Sequence, residues 1–186
     1  MRYLVRLLPP GKPSSGLLEL VRGIARSLEV EVRNPKWSSY GGLELDVFVQ
    51  SPPDFELFLS AVEPLAKLEF LKDLNRAPPT MTKQESLEEA RALFNAERYW
   101  ECHEVLEGVW RNSEGSEKLL VQGLILVCAA YVHQQKGEID VGLGILQRAA
   151  PQITWESGVY FGVDIAGLAG SVAKVLRSRK FTIFQI

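Results

Sequence analysis

Tyr99-Trp100-Glu101-Cys102-His103-Glu104-Val105-Leu106-Glu107-Gly108-Val109-Trp110 reads as a helix from its spacing. At about 100° per residue, Tyr99, Cys102, Leu106 and Trp110 fall into one apolar stripe. His103 lies about 20° from Trp110, on the shoulder of that stripe, and Glu107 follows one turn on. The sequence therefore predicts His103 and Glu107 as stacked partners that turn toward the core. Glu104 points further out, and Glu101 falls nearly opposite the stripe. Trp100 and Trp110 read as core residues. Imidazole and carboxylate groups at a core boundary are costly unless paired or engaged in chemistry, so this helix carries the candidate site.

The following segment, 116–136, is apolar nearly all round and so predicts a central helix. Its polar exceptions are Gln122 and His133. Folded back about the break at 112–115, Gln122 comes level with Glu107, which predicts a hydrogen bond between them. His133 lands about 12 Å from the level of His103, too far for both histidines to grip one ion.

Working outward, helices are expected at 83–96, 98–112, 116–136, 139–152 and 164–179. Thr82-Lys83-Gln84-Glu85 matches a capping box at the start of the first. The tail 180–186 has strand composition and is expected to pair with a sheet edge. Upstream, Arg76-Ala77-Pro78-Pro79 belongs to a proline-rich linker over 76–82.

Residues 1–75 alternate in strand period at 2–8, 28–33 and 43–49, with a fourth strand expected at 65–71. Helices are expected at 16–27, capped by Ser14 or Ser15, and after Ser51-Pro52-Pro53-Asp54, ending at Pro64. The segment 34–42 reads as a loop. The order β-α-β-β-α-β is the ferredoxin-like arrangement, so the predicted class is α+β, with this unit followed by a bundle of about five helices. Tyr3, Val5, Leu7, Leu28, Val30, Val32, Leu43, Leu45, Val47 and Val49 would face the helices. Arg2, Arg6, Glu29, Glu31, Arg33, Glu44, Asp46 and Phe48 would occupy a solvated or partner-docked face. The first and third strands are neighbours in this topology, so Arg2 and Arg6 are expected to pair with Glu44 and Asp46.

The chain carries 21 basic and 23 acidic residues, divided 10 to 10 up to Pro78 and 11 to 13 beyond it. Neither half has the basic excess that phosphate backbones demand, which argues against nucleic acid as a partner. Charge at Arg2 and Arg6 interrupts any signal-peptide pattern. The apolar run 119–132 is too short to span a bilayer, so no membrane partner is expected. Cys102 and Cys128 form no C-x-x-C pair and read as buried small apolar residues. A reducing, cytoplasmic setting suits them. Gly142, Gly144, Ala149 and Ala150 predict close helix approach, within the domain or across a homo-oligomer.

Phe94-Asn95, His103-Glu104-x-Leu106-Glu107-x-x-Trp110, Gln122-Gly123-Leu124-Ile125, His133 and Tyr160-Phe161-Gly162-Val163-Asp164 together carry a family resemblance. Over about 85–176 the chain resembles the helical domain of unknown function numbered 309. The resemblance implies a compact helical bundle and no assigned activity. Gly137-Glu138 departs from the pattern, which usually has a polar Asn there. The first 78 residues lie outside it.

The residues support two functions. The first is a non-enzymatic module that binds a small ligand or a protein through a polar cluster of His103, Glu104, Glu107, Trp110, Gln122 and His133. The second is a metal-dependent hydrolase, with His103 and Glu107 as ligands of a divalent ion such as zinc. His-Glu-x-x-Glu lacks the second histidine of the zinc-peptidase motif, so peptidase chemistry does not carry over.

Overall fold

The computed structural model describes residues 1–11, 14–75, 80–155 and 158–186. Lys12, Pro13 and the linker residues Arg76–Pro79 lie outside the described residues. The chain divides into two compact units, Met1–Pro79 and Thr80–Ile186.

The first unit runs β1 (Arg2–Leu8), α1 (Ser15–Ser27), β2 (Glu31–Trp37), β3 (Leu43–Phe48), α2 (Pro52–Val62) and β4 (Lys67–Asp73). Its sheet has the order β2-β3-β1-β4, and every pairing is antiparallel. The order and connectivity are those of the split β-α-β arrangement. Ser14 caps α1 by accepting from the Leu17 amide at 3.2 Å. At α2, Pro52 and Pro53 open the helix, and the Ser51 amide donates to Asp54 Oδ2 at 2.8 Å. Tyr3, Val5, Leu7, Leu43, Leu45 and Val47 form one core with Val21, Ala25, Phe55 and Phe58 of the helices. The Tyr3 and Phe55 rings stack with centroids 3.9 Å apart.

β2 departs from its expected limits of 28–33. Leu28 and Glu29 are consumed in ending α1, where Glu29 takes a left-handed φ of 55°. The strand then continues through the expected loop to Trp37 by a register shift between Arg33 and Lys36. Asn34, at φ 51°, absorbs the shift, and its side-chain amide donates to Asp46 Oδ2 at 2.8 Å. Asn tolerates this conformation better than most residues, and a bulge leaves the proline amide position outside the ladder. β4 likewise begins two residues later than expected, at Lys67.

The expected charge pairs form: Arg2 to Asp46 and Arg6 to Glu44, each at 2.9 Å. The face they occupy is not generally solvated. Arg6, Lys36, Glu44 and Asp46 are all buried. Lys36 Nζ lies 2.6 Å from the second oxygen of Glu44, so one carboxylate holds two cations. Tyr40 adds to this cluster, accepting from Arg6 and donating to Glu69.

The second unit comprises α3 (Lys83–Asn95), α4 (Tyr99–Arg111), α5 (Gly115–Gln135), α6 (Ile139–Ala149), a 3-10 turn (Ala150–Gln152), a short hairpin of β5 (Val159–Tyr160) and β6 (Val163–Asp164), and α7 (Ile165–Ser178). Thr82 and Glu85 form the predicted capping box: the Thr82 amide donates to Glu85 Oε2 at 2.8 Å, and Thr82 Oγ1 accepts from the Glu85 amide at 3.3 Å. α5 spans 21 residues and, by length and composition, is apolar enough to cross a membrane. In the bundle it is the central helix, packed against both α4 and α6. Gly142 of α6 sits against the Ala130 carbonyl of α5, which places its close approach within this unit.

The tail 180–186 forms no strand. Phe181, Phe184 and Ile186 pack on the helical core instead. Its backbone is held by side chains: Tyr131 donates to the Thr182 carbonyl at 2.7 Å, Asn95 Oδ1 accepts from the Ile186 amide at 2.9 Å, and Asn95 Nδ2 donates to the Ile186 carbonyl at 3.3 Å. Three apolar side chains that find a core, with backbone groups satisfied there, outweigh an edge-strand pairing.

Candidate functional site

The buried residues of α4 are Tyr99, Glu101, Cys102, Leu106 and Val109. Their mean direction lies about 40° round the helix from the predicted stripe, toward Glu101 and away from Trp110. That rotation accounts for the differences between the expected and observed site.

His103 and Glu107 do meet, with Nε2 and Oε1 3.1 Å apart. They meet near the surface and not in the middle of the bundle: the side chains are 19% and 44% exposed. Arg111 approaches the other oxygen of Glu107 at 3.4 Å. Glu107 is thus served from its own helix, and the expected hydrogen bond to Gln122 does not form. Gln122 is half-buried and Glu104 is exposed.

His103 Nδ1 is shielded from solvent and has no hydrogen-bond partner among the described residues. Trp100 is 41% exposed, contrary to its expected place in the core. Its ring lies parallel to the His103 imidazole, 4° from coplanar in direction, with centroids 5.6 Å apart. Trp110 is half-buried, and Lys118 Nζ stands 4.3 Å from its ring centroid.

His133 does not join this group. Its Nδ1 lies 2.5 Å from Glu138 Oε2 at the end of α5. Glu138 occupies the stretch where the resemblance leads one to look for a polar Asn. Among the described residues, no three His, Cys, Asp or Glu side chains come together to hold a metal ion.

Other polar groups were not singled out by the sequence. Glu101, placed outward by the stripe, is buried and receives two hydrogen bonds from Arg98, at 2.6 and 2.7 Å. Arg98 three residues before Glu101 was the available signal. Glu117 ties three elements together: Lys83 of α3 donates at 2.8 Å and Tyr160 of β5 at 3.0 Å. The Lys83 hydrogen bond, joined by that of Tyr160, holds the Glu117 carboxyl below its usual value. A carboxyl depressed in the folded state stabilises above its unfolded pKa, and that contribution is lost as pH falls through the folded value. The denaturation midpoint of the full chain is therefore expected to drop on acidification below the ordinary Glu range. Glu117→Gln should flatten the acid limb. An unchanged acid limb in the variant would refute the assignment.

The class defined to this point is an α+β chain whose helical bundle presents a Trp–His–Glu row on α4. Residues 87–145 match the model of a family described as a domain of unknown function, DUF309. The helical part of the chain belongs to that family. A solved structure, a conserved hypothetical protein from Thermus thermophilus, is similar at 34% identity, over 49% of this chain and 95% of that one, with a TM-score of 0.43. No curated protein matches.

Proposed function

We propose that the helical unit is a non-enzymatic binding module, which presents Trp100, His103 and Glu107 of α4 to a small ligand or a protein partner. One observation carries this reading: the half-exposed Trp100 ring lies flat beside His103, which is itself held at 3.1 Å by Glu107. A half-exposed indole stacked on an imidazole that a carboxylate holds in place offers apolar area in a fixed orientation, the kind of anchor that dominates binding surfaces.

Titration of the isotope-labelled chain with small aromatic amines and acids, followed by nuclear magnetic resonance, tests it. Shifts should centre on the Trp100 indole N–H and α4, and disappear in Trp100→Ala. An undisturbed α4 across that panel counts against the reading. Protein purified without chelator should contain no stoichiometric zinc. His103→Ala should leave metal content unchanged and cost about 0.5–1 kcal/mol, as for a partly exposed pair. Stoichiometric zinc that His103→Ala abolishes would instead favour a metal-dependent hydrolase, in which the ion activates water and a glutamate takes its proton.

A further inference from the structure

Cys102 of α4 and Cys128 of α5 bring their sulfurs to 3.1 Å. Both residues are enclosed, at 0% and 1% exposure, and both are free thiols. The Cys128 thiol donates to Cys102 Sγ, and the Cys102 thiol donates onward to the Ala90 carbonyl of α3, also at 3.1 Å. The pair therefore sits where three helices meet, separated by 26 positions in the chain.

We propose that Cys102 and Cys128 form an oxidisable dithiol that a peroxide closes to an intramolecular disulfide, stapling α4 to α5. Two observations carry it. The sulfurs already touch between two packed helices, and a disulfide bond of about 2.0 Å needs about 1 Å of further approach. A small cavity lined by both cysteines, with Ala90, Leu106, Leu124 and Ile186, has room for about one water-sized molecule beside them. Hydrogen peroxide, with two oxygens, enters only as the helices part slightly, whereas bulky disulfide reagents are excluded outright. In the resting protein, burial beside Cys102 holds the Cys128 thiol well above its ordinary pKa, so Cys128 rests as a thiol and reacts only through its small thiolate fraction.

Peroxide transfers one oxygen to one sulfur, giving a sulfenic acid and releasing one water. The other sulfur then attacks it. The S–O bond breaks, the S–S bond forms, and the second thiol's proton leaves with the hydroxyl as a second water. The two sulfurs lose two electrons in total, and peroxide gains them.

The test treats the reduced full chain with hydrogen peroxide, unfolds it in N-ethylmaleimide and weighs the intact chain. Untreated protein should carry two labels. Treated protein should carry none, weigh two hydrogen atoms less than the unlabelled reduced chain, and recover both labels after dithiothreitol. Retention of both labels, oxygen added to either sulfur without loss of the hydrogens, or covalent dimers would each overturn the proposal. Cys102→Ser should leave a single thiol that keeps its label or gains oxygen. The wild-type mass decides the matter even if that variant folds poorly.

Discussion

Glu44→Gln is expected to destabilise the first unit by about 3–5 kcal/mol, the cost of breaking a buried ion pair on one side. Glu44 is 5% exposed, and its two oxygens separately engage Arg6 at 2.9 Å and Lys36 at 2.6 Å. Both cations are as deeply buried as the carboxylate, at 4% and 5% exposure. Removing the negative charge leaves two cations side by side, repelling each other with little water to screen them. The raised pKa of Arg6 has the same origin, because the attraction of Glu44 and Tyr40 overcomes the opposing effect of burial. Chemical denaturation of the full chain, read by circular dichroism, measures the loss. Adding Lys36→Met to Glu44→Gln should recover part of it, since one stranded charge is then replaced by a stem that packs. A loss under about 1 kcal/mol in the single variant would mean that the cluster is solvated after all.

Gly142→Ala is expected to cost the helical unit about 1–3 kcal/mol through overpacking. A methyl group at Gly142 would stand 2.8 Å from the Ala130 carbonyl oxygen and 2.8 Å from Phe181 Cζ. The ring belongs to the tail and can yield; the carbonyl belongs to α5 and cannot without parting α5 from α6. Phe181→Ala combined with Gly142→Ala should therefore not restore wild-type stability. Gly144, two residues on, meets nothing within 4 Å and is the control. Gly144→Ala should be neutral or slightly stabilising, because alanine is the better helix former. Thermal denaturation of the three variants checks the set, and equal behaviour of the two glycines would refute the close contact.

Capping, strand alternation and helix limits were readable because each depends on near neighbours in the chain. Thr82 and Glu85 satisfy one another across three residues, whatever lies around them. The four-stranded order followed from the β-α-β-β-α-β succession of elements, and it brought Arg6 opposite Glu44. β2 was misplaced because the end of α1 and the strand compete for Leu28 and Glu29, and the helix cap prevails. The candidate site was half readable. A spacing of four residues on a helix makes His103 and Glu107 neighbours however the helix is turned. Their exposure was not readable, because rotation about a helix axis is decided by the shapes packed against it.

By itself, the sequence determined the order of the elements in the first unit and of the five helices in the second, the caps at Ser14 and Thr82, the apolar face of the sheet and the i,i+4 contact on α4. All of these arise from backbone geometry and side chains within a few residues. Only the tertiary structure decided the rotation of α4 that buries Glu101 and exposes Trp100, the docking of Phe181 and Phe184 on the bundle, the burial of Lys36 beside Glu44, and the meeting of Cys102 with Cys128. Each of those joins residues far apart in the chain, where competing surfaces must be covered at once and close packing selects among faces that local pattern leaves equivalent.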